Sequence, residues 1–171
     1  MRPKPGTYPS YFENYIYYVT QSNVLVALEQ SWQEITKTFG RLPEEMANYS
    51  YQAGKWTIKQ MLIHMIDTER VFAYRALRFA RKDPQQVLSF EENLYAASAE
   101  VSNRTIKDLL EEFEMVRKST ICLFRSFSDD TLLNSGKTAA GEVTVLALGY
   151  TICGHALHHI NVFKELYQKS V

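Results

Sequence analysis

Four stretches of this sequence repeat their apolar residues every three to four positions, and that spacing limits the fold more than any other feature. Between Asn23 and Phe39 the repeat runs through Val24, Leu28, Trp32, Ile35 and Phe39, an interval that lines up side chains on one face of an α-helix. Gly40 and Pro43 stop it. A second repeat, from about Ile58 to Arg81, carries Met61, Leu62, Met65, Ile66, Phe72 and Leu77. It opens at Thr57 with Gln60 three residues on, a capping box that satisfies two orphan backbone donors, and ends at Lys82-Asp83-Pro84. The third begins near Thr105, with Asp108 three residues on. It runs through Ile106, Leu109, Leu110, Phe113, Val116, Thr120 and Leu123 to about Phe127, where Ser128-Asp129-Asp130 closes it. The fourth starts after Gly141, with Thr144 as its cap, and runs to about Gln168. Residues 9–19, rich in Tyr and Phe, form either an initial helical turn or an extension of the first helix.

Four amphipathic helices with few strand signals predict an all-α four-helix bundle, one domain over residues 1–171 with its core at about 20–168. Each long helix spans roughly 30–36 Å at ~1.5 Å per residue. The connection from about Lys82 to Ser102 is long for a simple hairpin. It either crosses the bundle end or folds over it as a lid, with Phe90-Glu91-Glu92-Asn93-Leu94-Tyr95 as a short helix. A chain of 171 residues can bury roughly 70% of its unfolded surface, so one core suffices without staples. Lys+Arg and Asp+Glu both number 19, which excludes a general electrostatic grip on nucleic acid or anionic lipid. The two cysteines, Cys122 and Cys153, make no disulfide framework and suit a reducing compartment; both read as small packing residues. The start of the chain has no apolar run. The most apolar stretch, Val143 to His155, is interrupted by Thr144, Gly149, Thr151 and Gly154 and is too short for a bilayer. The expectation is a soluble cytoplasmic protein with neither a nucleic-acid nor a membrane partner.

All four histidines fall in predicted helices, and their positions matter more than their number. The stripe of the fourth helix reads Leu148, Ile152, His155, His159, Val162, Phe163 and Leu166. At ~100° per residue His155 and His159 are about 40° apart, so both face the core one turn from each other. His158 lies about 60° from His155 on the other flank, beside Thr151, Asn161 and Glu165, as a surface or supporting residue. In the second helix His64 follows Met61 within the apolar stripe. Two histidines at i, i+4 and one on a facing helix can bring three imidazoles around a divalent transition ion, leaving coordination positions open, as in catalytic sites. A bland alternative stands beside this: core histidines that hydrogen-bond one another. Cys153 sits about 200° around the helix from His155 and cannot share that ion. Glu69, between Ile66 and Phe72, is a candidate catalytic base or an acceptor behind a ligand histidine; its alternative is a surface ion pair with Arg70. No Ser/His/Asp order, Gly-rich phosphate loop or CxxC motif supports another chemistry.

Lys55-Trp56-Thr57-Ile58-Lys59-Gln60, then Leu62, His64, Met65-Ile66-Asp67-Thr68-Glu69-Arg70 and Tyr74-Arg75-Ala76-Leu77-Arg78-Phe79-Ala80-Arg81, is similar to the second helix of the DinB-like, YfiT-type superfamily. Gly154-His155-Ala156-Leu157-His158-His159-Ile160 resembles its last-helix metal motif, and Phe90-Glu91-Glu92-Asn93 fits the long connection. The similarity spans about residues 20 to 168. It implies a bundle of 1-2-4-3 neighbour order with a crossing connection between the second and third helices. It implies also a divalent metal (nickel, zinc or iron) on the matching His64, His155 and His159. Members include S-transferases that use bacillithiol or mycothiol and a mycothiol-dependent isomerase, and dimers are common.

The leading expectation is therefore a metal-dependent thiol S-transferase, acting on a low-molecular-weight thiol and a small electrophile, as a homodimer. The metal lowers the thiol pKa, and Phe90, Tyr95 and nearby acidic residues line the mouth. The rivals are a metal-dependent hydrolase with Glu69 or Asp67 as base, and a metal-stabilised binding module without chemistry.

Overall fold

Periodicity puts the long helices where the computed structural model has them. It describes residues 1–168. A 3₁₀ turn (Ser10–Phe12) runs into the short helix α1 (Glu13–Ile16), followed by α2 (Val24–Phe39), a second 3₁₀ turn (Glu44–Met46) and α3 (Ile58–Ala80). Then come α4 (Glu92–Ser98), α5 (Ile106–Arg125), α6 (Asp129–Leu133), a hairpin of β1 (Ser135–Thr138) and β2 (Gly141–Thr144), and α7 (Val145–Val162), which continues as a π-helical turn (Phe163–Tyr167). Capping follows the sequence signals. Thr57 and Gln60 form the full box at α3, Thr105 and Asp108 form another at α5, and the Thr144 hydroxyl accepts from the Ala147 amide at the head of α7.

Side-chain contacts give the helix directions. Lys59, early in α3, donates to the carbonyls of Ser102 and Arg104 just before α5, so α3 and α5 run parallel. Phe39, ending α2, packs on Phe163 beyond α7, and the Tyr167 hydroxyl donates to the Trp56 carbonyl just before α3 at 2.7 Å. Thus α2 and α7 point one way, α3 and α5 the other. A parallel α3–α5 pair obliges the connection between them to travel back the length of the bundle, and it does. Arg75 donates to the Leu88 carbonyl and Gln60 to the Ala96 carbonyl, which tie this strap to α3 along the way. The long crossover and the short helix within it, α4, match the sequence reading.

Two details differ from that reading. Broad contacts join α2 to α7 and α5, and join α3 to the same two helices. The order round the bundle is therefore first, fourth, second, third, and the expected 1-2-4-3 order is corrected. Residues 40–57 and 126–144 are long enough to span the bundle ends diagonally. Of the two forms expected for residues 9–19, the initial helical turn is the one present, since Asn23 starts α2 afresh by accepting from the Leu25 and Val26 amides. The β1–β2 hairpin was not expected: its four-residue strands pair antiparallel from Ser135↔Thr144 to Thr138↔Gly141, too short to announce themselves by alternation.

The apolar core forms two blocks. One gathers Val24 and Leu28 of α2, Phe72 and Phe79 of α3, Phe124, and α7 from Val145 to Cys153. The other gathers Ile35 and Phe39, Ile58 to Ile66, Ile106 to Phe113, and the end of α7. Burying a side chain such as Phe39 stabilises the fold by about 1.5–3 kcal/mol. Between the blocks every long helix turns polar: Ser31, Thr68 and Glu69, Arg117 and Thr120, and His155 are all buried there.

Candidate metal centre

The site is built on one face of α3 and one of α7. His64 on α3 and His155 on α7 are buried and His159 is partly exposed. The three histidines offer ring nitrogens that lie within 4.8 Å of one another. His64 Nε2 is 3.0 Å from His155 Nε2, which is 3.1 Å from His159 Nε2. The three residues singled out from the spacing are thus brought together, the one from α3 facing the i, i+4 pair from α7.

Neighbouring aromatics hold the rings. Trp56, just ahead of the α3 cap, packs on His64 with ring centroids 4.5 Å apart. Tyr15 of α1 meets His155 edge-on at 5.5 Å and His158 at 5.6 Å. This approach depends on Gly154: a Cβ there would lie 2.0 Å from the Tyr15 carbonyl oxygen. His158 packs among Tyr15, Tyr18 and His159 and lines the same cavity as the trio.

Electrostatics favour neutral imidazoles. Burial pushes the His64 pKa down to about 4, with His158 adding to the effect. Burial, then His159 and His64, hold His155 well below the ordinary range; burial, then His64 and His158, do the same for His159. Neutral imidazoles carry a lone pair on one nitrogen only. Three Nε2 atoms facing one point therefore cannot all satisfy one another: the central His155 Nε2 can at best share a single lone pair between two donors. A cation at the point of convergence uses all three lone pairs. The donor set thus fits a divalent transition metal with open positions. His159 Nδ1 is buried without a hydrogen-bond partner among the described residues, so no acceptor there fixes its ring.

Glu69 is not that acceptor. It is buried within the polar layer, where Arg117 Nε donates to its two oxygens at 2.9 and 3.1 Å and Arg117 Nη2 to one of them at 2.7 Å. Arg117 Nη1 donates to the Leu28 carbonyl and Ser31 hydroxyl, each at 2.7 Å. Burial opposes the Arg117 charge, but Glu69 outweighs it and holds the guanidinium pKa above its ordinary value. The expected role as base or as support for a histidine is corrected, and so is the surface pair with Arg70, which reaches Asp67 and Glu112 instead. Glu69 precedes Phe72 by three residues but turns to the α2–α5 side, and sequence spacing alone did not distinguish the two flanks. Cys153 is buried, with burial pushing its thiol up to about 12. Cys122 is exposed and not the packing residue expected.

In front of the histidines lies a cavity of about 330 Å³. Its walls come from α1, from α3 (Thr68, Phe72, Arg75), from the strap (Ser89, Phe90, Glu92) and from the hairpin turn at Thr138–Ala140. The hairpin is seated by Gly136, where a Cβ would lie 2.0 Å from the Phe79 ring; the Val87 amide donates to the Lys137 carbonyl and ties strap to hairpin. Phe90 thus lines the mouth as expected. Tyr15, Thr68, Arg75 and the hairpin had no assigned part in the site from the sequence, though Arg75 lies eleven residues after His64, on the same helix face at 3.6 residues per turn.

An up-down-down-up helical bundle with three convergent histidines beside an open cavity defines a class: helical proteins equipped for a metal centre. This chain belongs to the DinB superfamily, whose sequence profile matches residues 27–163. Its fold is similar to YfiT from Bacillus subtilis, described as a probable metal-dependent hydrolase with an unusual four-helix bundle topology. The TM-score is 0.76 at 14% identity, over 99% of this chain and 93% of that one. The mycothiol-dependent maleylpyruvate isomerase is also similar, with a TM-score of 0.69 at 13% identity, over 88% of this chain and 66% of that one. At such identities the likeness speaks for the fold. No curated protein matches significantly by sequence. Among the described residues, no helix is long and apolar enough to cross a membrane.

Proposed function

We propose that His64, His155 and His159 hold a divalent metal (nickel, zinc or iron) and that the protein transfers a low-molecular-weight thiol to a small electrophile. The convergence of three histidine ring nitrogens on one side of an open cavity carries this reading. When bound, the metal acts as a Lewis acid that draws a thiol pKa toward neutrality. The chain's own part is to orient and enclose. Trp56 and Tyr15 fix the imidazole planes, the strap and hairpin restrict water, and the aromatic walls hold the electrophile's carbon skeleton. The likeness to a mycothiol-dependent enzyme supports the thiol. A homodimer in the cytoplasm completes the proposal.

A second reading, metal-dependent hydrolysis, is favoured by the description of YfiT. Its weakness here is the base: Glu69 is occupied by Arg117, which leaves Glu92 as the one carboxylate lining the cavity among the described residues. Turnover by the zinc-, nickel- or iron-loaded protein with cysteine, bacillithiol or mycothiol and a panel of electrophiles tests the choice. Thiol-dependent product formation lost in His159→Ala supports transfer. Thiol-independent hydrolysis, lost in Glu92→Gln, replaces it with the second reading.

A further inference from the structure

Arg75 is the odd residue in this cavity. It is 7% exposed, yet no carboxylate stands within ion-pair distance of it among the described residues. Its guanidinium lies over the Phe72 ring at 5.3 Å and the Phe90 ring at 5.9 Å. Its one hydrogen bond there is from Nη2 to the Leu88 carbonyl at 2.7 Å. A guanidinium has five donors in a planar fork, so most of its capacity is unspent. The contrast with Arg117, which spends its donors on Glu69, Leu28 and Ser31, is complete. An unpaired charge kept this far from water is costly unless something pairs it.

A second group points the same way. The Thr68 hydroxyl is buried, lines the cavity, and has no hydrogen-bond partner among the described residues. His64, Thr68 and Arg75 lie at i, i+4 and i+11, on one face of α3. Arg75 reaches back over Phe72, three residues toward the histidines. The helix rises about 16 Å between His64 and Arg75, and the backward reach of the side chain narrows the gap to the order of 10 Å. The wall therefore presents, in sequence, metal ligands, an unsatisfied hydroxyl, an aromatic ring and an unpaired guanidinium.

We infer that Arg75 is the anchor of a carboxylate subsite, and that the substrate is a compact organic monocarboxylate whose reacting end faces the histidines while Thr68 bonds a polar group between. A single carboxylate, rather than a phosphate dianion, fits the count of charges: among the described residues Arg75 is the one Lys or Arg lining the cavity, and Glu92 lines it too. The flat carboxylate matches the guanidinium fork with two parallel hydrogen bonds, and Phe72 and Phe90 clamp the skeleton behind it. This assignment deepens the proposed function by naming its electrophile's class, and it rests on that reading for the identity of the reacting end alone.

The test is binding of 3-phenylpropionate and of its neutral amide to the full chain, by calorimetry, with and without stoichiometric zinc. Wild type is expected to bind the carboxylate in both states and the amide at least tenfold more weakly. Arg75→Gln should weaken carboxylate binding at least tenfold and leave the amide unchanged, and Arg75→Lys should fall between, with circular dichroism reporting the fold of each variant. Equal binding by wild type and Arg75→Gln overturns the subsite, as does failure of wild type to bind the carboxylate in either state. Carboxylate binding that needs zinc and ignores Arg75 also overturns it, while upholding the metal centre. Arg75-dependent binding in a protein that takes up no zinc upholds the subsite and overturns the metal reading.

Discussion

Two polar clusters share the layer between the apolar blocks, and they are built on opposite rules. Around Arg117 each guanidinium nitrogen has an acceptor: Glu69, the Leu28 carbonyl and Ser31 close the network across α2, α3 and α5. Around His64, His155 and His159 the accounts stay open. Three lone pairs face one point, and the Thr68 hydroxyl and His159 Nδ1 are without partners among the described residues. Thr68 and Glu69 are adjacent in sequence, so one step along α3 passes from the open cluster to the closed one. A closed buried network fixes how helices meet; an open one beside a cavity holds capacity for a ligand.

The largest expected effect breaks the closed cluster. Arg117→Met leaves Glu69 buried and unpaired and should cost about 3–5 kcal/mol of stability, read from urea unfolding. Adding Glu69→Gln to it should recover part of that loss. Zinc affinity of the folded fraction should stay as in wild type, because neither residue touches the histidines. The open cluster should respond the other way. His159→Ala should change metal-free stability little, yet abolish the stabilisation by zinc, which for wild type reaches about 2.7 kcal/mol at a hundredfold excess over Kd. Thermal unfolding with and without zinc measures both.

Acid should separate the clusters further. With His64 held at about 4 by burial and an unfolded imidazole near ~6.5, the unfolded chain binds protons that the folded one refuses between these values. Stability of the metal-free protein should therefore fall as pH drops from about 6.5 toward 4, by up to about tenfold in the folding constant per unit for each buried imidazole. Urea midpoints across that window check it, and a flat profile in the metal-free protein would contradict the buried neutral histidines. The smallest effect is expected at the exposed Cys122: Cys122→Ser should move stability by no more than about 0.5 kcal/mol and leave zinc binding alone.

How far the sequence carried these conclusions differs between helix and loop. The stripes, the caps at Thr57 and Thr105, and the three inward histidines were legible because each is a local pattern with a helical period. The diagonal placement of the first two helices was not, since it depends on which faces win in packing. Glu69 was misread for a related reason: its position on α3 sits between two flanks, and Arg117, forty-eight residues away, decides which one. Arg75 looked like one more basic residue among Arg70, Arg78 and Arg81. Only the strap folding back over α3, with Phe90 and the Leu88 carbonyl, encloses it. The hairpin, four residues a strand, had no period long enough to read.

Metal content decides the central point most directly. Untagged protein, incubated with zinc, nickel or iron(II) and freed of excess, should carry close to one ion per chain by mass spectrometry, and His159→Ala, folded by circular dichroism, should carry almost none. A wild type that takes up none of the three, or a variant that holds as much as wild type, would contradict a metal centre on His64, His155 and His159.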